Sequence, residues 1–201
     1  MSSTNRTTAR SSHPSDYYIT PVKDIKLFLK NFNEVVKINW ENELILDPCT
    51  GGDSINDMSY PLAIQNYIGK EAIELDIDTI DIRKDSKANK ITNYLLLNVD
   101  NTYQRKPSVI ITNPPFRISK EIIQKSLTDV KDNGWVIMLL RLNFFGSKQR
   151  KPFWDEFMPR YVFVHHKRIC FTQNGSTDSI EYAHFCWQKG NYPQFAELKV
   201  I

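Results

Sequence analysis

The tetrapeptide Asn113-Pro114-Pro115-Phe116 is the most informative chemical feature of the sequence. It directly follows the apolar run Val109–Thr112, which predicts a short buried strand. Two prolines remove two backbone donors and stiffen the turn, so the Asn113 amide oxygen and the Pro114 carbonyl can point at one place as acceptors. An amino group with two hydrogens fits that place. Two fixed acceptors would help to localise its lone pair for attack on an electrophile.

The Phe116 side chain adds a flat apolar surface beside this pair of acceptors. A purine can stack on such a ring, and stacking of a base on an aromatic side chain contributes about 1–3 kcal/mol. The alternative is a proline-rich turn followed by a core phenylalanine. The strand before the tetrapeptide, together with a second motif upstream, favours the chemical interpretation.

The second motif, Asp47-Pro48-Cys49-Thr50-Gly51-Gly52-Asp53, follows a strand predicted for residues 43–46. The paired glycines let the backbone turn tightly and approach a ligand without an intervening Cβ. A carboxylate beside such a turn suits a cationic or hydroxyl-bearing ligand better than a pyrophosphate. Taken alone, an ordinary turn between a strand and a helix explains the glycines equally well.

The spacing of apolar residues predicts an α/β fold that places both motifs at one edge of a sheet. Helices and short apolar strands alternate, which indicates a mainly parallel seven-stranded sheet with helices on both faces and antiparallel strands at one edge. Ligands bind beyond the carboxyl ends of the strands in such folds, so the loops after the first and fourth strands should share a crevice. Helices are predicted for residues 22–36, 55–68 with an interruption at Pro61, 118–130 and 147–158. Strands are predicted for residues 43–46, within 72–82, and for residues 94–97, 109–112, 135–140, 161–164 and 182–187.

The composition indicates one globular domain in a reducing compartment. The chain has 201 residues, with 26 Lys and Arg against 23 Asp and Glu, and its net charge of +3 permits a phosphate-rich partner without requiring one. Residues 1–15 are polar and predict a disordered leader to a domain at residues 16–201. The widely spaced Cys49, Cys170 and Cys186 indicate neither disulfides nor zinc. No apolar run approaches the roughly 20 residues that span a bilayer, which predicts a protein without membrane segments.

With these motifs the sequence resembles the amino-methyltransferases, specifically the phage-type and Dam-like adenine-N6 DNA methyltransferases, over about residues 17–187. The glycine loop precedes the Asn-Pro-Pro-Phe tetrapeptide, which is similar to the gamma order of motifs in that superfamily. The resemblance implies a single-domain Rossmann-like methyltransferase fold, S-adenosylmethionine as cofactor, and transfer of its methyl group to N6 of a flipped adenine in DNA. It also implies the cytoplasm of a bacterium or of a phage-infected host cell.

The resemblance assigns cofactor-binding roles at four places. The methionine-binding loop corresponds to Asp47, Pro48, Gly51 and Gly52, and the N-terminal motif that closes over the cofactor to Tyr18, Thr20 and Pro21. Asp81 corresponds to the acidic residue that holds the ribose, with Glu74, Asp76 and Asp78 as alternatives in the same segment. Asn93 stands where the family usually has an acidic residue facing the cofactor adenine. The adjacent glycines also depart from the commoner pattern, in which one residue separates them.

Residues that contact the nucleic acid are predicted in the second half of the chain. Arg168 and Phe171 are candidates for the region of the flipped base, and a core position for Phe171 is an equally good interpretation. The loop at residues 172–179 and the basic tract at 148–151, with Lys148 and Arg150, are candidates for reading or holding DNA. For the tract alone, an ordinary solvated helix start is a slightly better interpretation. His165 and His166 are neighbours on a predicted strand and should point to opposite faces, so no metal is expected. Cys49 is assigned to packing.

Two alternatives to adenine methylation of DNA stay open. The first is methylation of another planar nitrogen, in RNA adenine or in a protein glutamine. The second is a non-catalytic nucleic-acid-binding subunit with the same fold. The intact tetrapeptide favours an enzyme, because a scaffold does not need two converging acceptors. A homodimer and a separate specificity partner are both compatible with the sequence.

Overall fold

A computed structural model describes residues 17–69, 75–171 and 179–201. The predicted leader and most of the predicted recognition loop, residues 172–178, lie outside these ranges. The α-helices are α1 (Val22–Val35), α2 (Ser59–Ile68), α3 (Val99–Thr102), α4 (Ser119–Asp129) and α5 (Lys151–Glu156). The strands are β1 (Ile45–Asp47), β2 (Ile77–Asp81), β3 (Lys90–Ile91), β4 (Val109–Thr112), β5 (Trp135–Arg141), β6 (Tyr161–Val164), β7 (Tyr182–Gln188) and β8 (Glu197–Val200).

The strands form one mixed sheet in the order β3-β2-β1-β4-β5-β7-β6-β8. The five strands from β3 to β5 pair in parallel, and β7 lies antiparallel to both β5 and β6. An antiparallel strand is therefore present as expected, but β7 lies inside the sheet rather than at its edge. The expectation of seven strands is wrong, because β8 adds an eighth in parallel with β6 at the sheet edge. Its four residues are exposed and alternate between charged and apolar types, so no buried run marks the strand in the sequence.

Two local predictions are wrong because short polar side chains bind nearby backbone groups. Residues 94–97 do not form a strand, since the Asn93 side chain accepts from the Leu95 N–H and caps a turn of 3-10 helix. The strand at this place is β3. Likewise, α2 begins at Ser59 rather than residue 55, because the Asp53 carboxylate binds the backbone N–H groups of residues 55 and 56.

Proline placement explains two further differences. Pro61 lies in the first turn of α2 and does not interrupt the helix, because a backbone N–H in that turn has no partner within the helix. The helix predicted for residues 147–158 is divided into a 3-10 turn at Lys148–Arg150 and α5. Pro152 is the second residue of α5, where proline is tolerated.

Alternate residues along each strand enter two apolar cores on opposite faces of the sheet. In β4, Val109 and Ile111 pack with α1 and α2, whereas Ile110 packs with α4 and α5. The buried strands are therefore apolar on both faces, which produces the continuous hydrophobic runs seen in the sequence. Within the described residues, no helix combines the length and the apolar character that crossing a bilayer requires.

The strand order reverses between β1 and β4. From β1 the chain first extends to β2 on one side, and β4 then pairs with the other side of β1. A crevice forms at the carboxyl ends of strands where the order reverses. The loop after β1 carries the paired glycines, and the loop after β4 carries the Asn-Pro-Pro-Phe tetrapeptide.

Candidate active site

A cavity opens at this reversal point, between the loops that follow β1, β2 and β4. The N-terminal segment before α1 forms part of its wall. It brings together predicted residues that lie far apart in the chain, namely Tyr18, Thr20, Pro48, Gly51, Asp81, Asn93, Asn113 and Pro115. Pro21, Asp47, Gly52, Pro114 and Phe116 adjoin these residues in sequence and do not line the cavity itself.

The glycine loop has a conformation that requires glycine. Gly51 and Gly52 have φ angles of +67° and +72°, in the left-handed region where a Cβ is strained. A Cβ on Gly51 would lie 2.5 Å from Cε2 of Tyr17, so a side chain there would also collide with the cavity wall. The Gly52 carbonyl accepts from the Arg83 guanidinium, which fixes the loop to the end of β2.

Asp81 is the carboxylate of its segment that lines the cavity. Its Oδ2 accepts from the Gly51 N–H at 2.8 Å, and its Oδ1 accepts from the Arg83 N–H at 2.8 Å. Asp76 instead forms an exposed ion pair with Arg105, and the buried Asp78 forms an ion pair with Lys90. Glu74 lies outside the described residues. Of Asp76, Asp78 and Asp81, only Asp81 lines the cavity, and its ribose-binding role stays a prediction.

Asp47 lies beneath the glycine loop and is 1% exposed. Its Oδ1 accepts from the Cys49 N–H at 3.3 Å, while Oδ2 is buried and has no hydrogen-bond partner. Burial raises the pKa of this carboxyl to about 7, because the charged form loses its hydration. The carboxylate thus supports the loop from behind, and Pro48, Cys49, Thr50 and Gly51 form the surface that faces the cavity.

Asn113 is oriented by a residue from the N-terminal segment. Its Nδ2 donates to the hydroxyl of Thr20 at 3.1 Å. Thr20 is 2% exposed and lines the same cavity. The Oδ1 atom of Asn113 is buried and has no hydrogen-bond partner. An acceptor without a partner is costly in a buried place, so this oxygen is available to a donor group on a ligand in the cavity.

Four aromatic rings form a closed cycle beside the tetrapeptide. Tyr18 contacts Phe116, with ring centroids 6.0 Å apart, and Phe171, with centroids 5.8 Å apart. Tyr182 contacts the same two rings at 5.9 Å and 4.9 Å. The structure therefore brings Phe171 into the same aromatic cluster as Phe116, an arrangement compatible with both the base-binding and the core interpretation. Tyr18, assigned from the sequence to the cofactor, is in contact with both rings.

The predicted DNA-binding cations are in different environments. Arg150 lines a second cavity together with Phe116 and Arg141. Lys148 is exposed in the 3-10 turn before α5. Arg168 is exposed and forms an ion pair with Glu181 at 3.4 Å, and it lines neither cavity.

His165 and His184 form a buried chain that ends at the first cavity. Nε2 of His165 is 2.9 Å from Nδ1 of His184, and Nε2 of His184 is 3.0 Å from the hydroxyl of Tyr60, which lines the cavity. Burial lowers the pKa of both imidazoles, to about 4 for His165, so both are neutral near pH 7. Among the described residues no group of three His, Cys, Asp or Glu side chains could hold a metal ion.

Sequence reasoning missed Tyr17, Arg83 and Arg141. Arg83 stands two residues after Asp81 in the sequence, but nothing there indicates its partner. In the folded chain its Cζ lies 3.7 Å from the centroid of the Tyr17 ring, a contact between distant segments. Arg141 ends an apolar strand, and a charged residue at a strand end is usually taken as solvated. Its contact with Phe116, in which Cζ lies 4.4 Å from the ring centroid, is evident only in the folded chain.

The fold is shared with solved structures of methyltransferases and DNA-modifying proteins. A Listeria monocytogenes protein assigned to the class I S-adenosylmethionine-dependent methyltransferases matches with a TM-score of 0.62 at 14% identity, over 91% of this chain and 65% of that one. The M protein of the type I restriction enzyme EcoKI matches with a TM-score of 0.57 at 13% identity, over 87% of this chain and 44% of that one. The structure of DrdV in a complex with DNA matches with a TM-score of 0.65 at 11% identity, over 94% of this chain and 28% of that one.

No protein-family model matches the chain, and a search of curated protein sequences found no match. At 11–14% identity the structural likeness shows the fold. The chain thus has the fold of the class I S-adenosylmethionine-dependent methyltransferases. It spans 65%, 44% and 28% of the lengths of the three structures named above.

Proposed function

We propose that the protein transfers a methyl group from S-adenosylmethionine to an exocyclic amino group, with N6 of adenine in DNA as the preferred target. The observation that carries the proposal is the buried Oδ1 of Asn113, an acceptor without a partner beside the cavity. It lies in the tetrapeptide whose residue types suit an amino group, at the reversal point of a methyltransferase-like sheet. Fold, motif and orphaned acceptor therefore support the same chemistry.

The residues of the cavity fit S-adenosylmethionine. The left-handed Gly51 leaves room that a Cβ would fill, and the Asp81 carboxylate beside it can accept from hydroxyl groups. Asn93 lines the same cavity, where its side-chain Nδ2 can donate while Oδ1 caps the following turn. When bound, the cofactor supplies a sulfonium methyl group, which is an electrophile. We infer that these residues bind and orient it.

The acceptor side of the reaction depends on Asn113 and Pro114. With Nδ2 held by Thr20, the amide of Asn113 has one orientation, and Oδ1 is available for one hydrogen of a target amino group. The Pro114 carbonyl is the second acceptor. These two acceptors concentrate the lone pair on the target nitrogen and stabilise the positive charge that develops there during transfer. No strong base is needed, because the amino group loses its proton only after it has gained positive charge.

The aromatic cycle supports a flat target such as adenine. Phe116 and Phe171 are both held against Tyr182, so their positions are set by packing before a ligand arrives. An adenine stacked on Phe116 would present its amino group to the adjacent Asn113. Tyr18 contacts both Phe116 and Phe171, so the Tyr18 side chain must move before a base can enter between those two rings.

DNA is preferred over other substrates because of the neighbours in fold and the cations near Phe116. The EcoKI M protein belongs to a restriction enzyme, and DrdV was solved with DNA. Arg150 and Arg141 lie beside Phe116, as expected for a phosphate-bearing substrate. A glutamine side chain of a protein substrate would need neither the aromatic cycle nor these cations.

Labelled S-adenosylmethionine offered with DNA, RNA and protein substrates tests the proposal, followed by mass analysis of the modified nucleoside or residue. Label in N6-methyladenine from DNA is the expected result. Label in RNA or in glutamine would support methyl transfer but show that the substrate is not DNA. Absence of label in every substrate, with S-adenosylmethionine bound in calorimetry, would indicate a non-catalytic binding protein.

A further inference from the structure

A second cavity lies at the carboxyl end of β5, next to the tetrapeptide. Its lining contains two guanidinium groups and one amide, together with the Ser119 hydroxyl, which donates to the Phe116 carbonyl at 3.1 Å. Among the described residues no carboxylate lines it. Such a set of donors suits an anion with several oxygen atoms. The lining residues are Phe116, Ser119, Leu140, Arg141, Asn143, Phe144 and Arg150.

Arg141 has few compensating contacts for a partly buried cation. Its Nε is buried and has no hydrogen-bond partner, and its Cζ lies 4.4 Å from the centroid of the Phe116 ring. Among the described residues it forms no ion pair. A guanidinium stays charged at every physiological pH, so burying it without a carboxylate is costly. An anion in the cavity would offset that cost.

Arg150 is held in place by a different aromatic residue. Its Nε donates to the Phe144 carbonyl at 2.8 Å, and its Cζ lies 4.3 Å from the centroid of the Phe144 ring. Arg150 lines the same cavity as Arg141. Both guanidinium groups are therefore positioned by packing on rings, which reduces the entropy lost when they bind a ligand.

We propose that Arg141 and Arg150 bind a phosphodiester group of the strand that carries the target base. The inference rests on the proposed function, because the ring under Arg141 is Phe116, on which the base is proposed to stack. The phosphate of a nucleotide is joined through the sugar to its base, so a base at Phe116 brings its own backbone to this cavity. Contacts of this kind position the strand without reading its sequence.

The test measures how strongly salt weakens DNA binding in variants of the full chain. The variants are Arg141→Gln, Arg150→Gln and their combination, with Lys26→Gln on the exposed face of α1 as a charge-matched control. Each lost phosphate contact should make the slope of log K against log[salt] shallower by about 0.9 for duplex DNA. Because both arginines bind the same phosphate, each single variant should show part of that change, the double variant the whole of it, and the control none.

Binding is followed by the fluorescence anisotropy of a labelled duplex, and thermal unfolding of each variant checks its fold. If Arg141→Gln does not fold, Arg150→Gln decides alone, because Arg150 lies in a short surface turn. Wild-type slopes in folded variants overturn the inference. Stabilisation of the wild type by inorganic phosphate together with unchanged slopes overturns it in favour of a free-anion site. Methyl transfer to DNA, measured separately, decides whether the proposed function survives that result.

Discussion

The side-chain amide of Asn113 donates a hydrogen bond to the hydroxyl of Thr20, a residue 93 positions earlier in the chain. The contact joins the tetrapeptide after β4 to the segment that leads into α1. It fixes the orientation of the Asn113 amide, with Nδ2 towards Thr20. The buried Oδ1 is left as an acceptor without a partner. The N-terminal segment therefore orients the residue proposed to bind the target amino group.

Replacing Asn113 with Ala should reduce methyl transfer about a hundredfold or more with little change in cofactor affinity. Loss of one preorganised acceptor of this kind costs on the order of 3–4 kcal/mol of barrier. The measurements are single-turnover methyl transfer and calorimetric titration with S-adenosylmethionine. Asn113→Asp keeps an acceptor and should retain more activity than Asn113→Ala. Near-normal turnover in the Ala variant would reduce Asn113 to a turn residue.

Replacing Gly51 with Ala should weaken binding of S-adenosylmethionine at least tenfold. The new Cβ would meet Tyr17 at 2.5 Å and would be strained by the φ of +67°. The left-handed conformation alone costs about 1–2 kcal/mol in a residue with a Cβ. Calorimetry of the folded variant measures the affinity.

Gly190→Ala is the matched control for the backbone strain. Gly190 has a φ of +82°, and a Cβ there would meet nothing within 4 Å. This variant should lose stability and keep its cofactor affinity. Adding Tyr17→Ala to Gly51→Ala should restore part of the affinity by removing the collision. Unchanged affinity in Gly51→Ala itself would exclude the loop as the cofactor site.

Replacing Asp47 with Asn should flatten the dependence of stability on pH. The pKa of the folded protein, about 7, lies above the usual value of 3.8, so the folded state holds this proton more tightly than the unfolded chain. The stabilisation is full below the unfolded pKa and is lost as the pH rises through about 7. In that interval the free energy of unfolding of the wild type should fall, relative to Asp47→Asn, by about 1.4 kcal/mol per pH unit.

Urea unfolding of both proteins between pH 4 and pH 8 checks the Asp47 prediction, and the difference between the two curves isolates this carboxyl. The neutral His165 and His184 act in the opposite direction, because their lowered pKa values cost stability as the pH falls. That contribution is present in both proteins and cancels. Parallel curves would mean that Asp47 titrates normally in the folded protein.

The sequence predicted those parts of the fold that repeat a local pattern. Val109–Thr112 and Trp135–Arg141 are strands because consecutive apolar residues enter two cores, and such runs are visible without a structure. Residues 94–97 were misassigned, because one capping contact of Asn93 outweighs the strand preference of the apolar residues that follow it. A single side chain can decide between two conformations of a short apolar run, and pattern reading does not detect that.

The candidate site shows the same division between local and distant information. Gly51 and Asn113 stand in motifs whose residue types suggest their chemistry. The contacts that complete the site join segments far apart in the chain, as Arg83 does with Tyr17 and Arg141 with Phe116. Their geometry depends on how β2 and β5 are placed in the sheet. Composition and spacing carry no information about such pairs.

Replacing Phe116 with Ala should lower kcat/KM for DNA by roughly 10- to 100-fold, since base stacking on an aromatic ring contributes about 1–3 kcal/mol. Affinity for S-adenosylmethionine should stay close to that of the wild type, because Phe116 does not line the cofactor cavity. Phe116→Tyr preserves the ring and should keep most of the activity. Phe195→Ala removes a ring that is 76% exposed and should have no effect. Equal losses of cofactor and DNA affinity in Phe116→Ala, with a lowered melting temperature, would show that the ring only packs against Tyr18 and Tyr182.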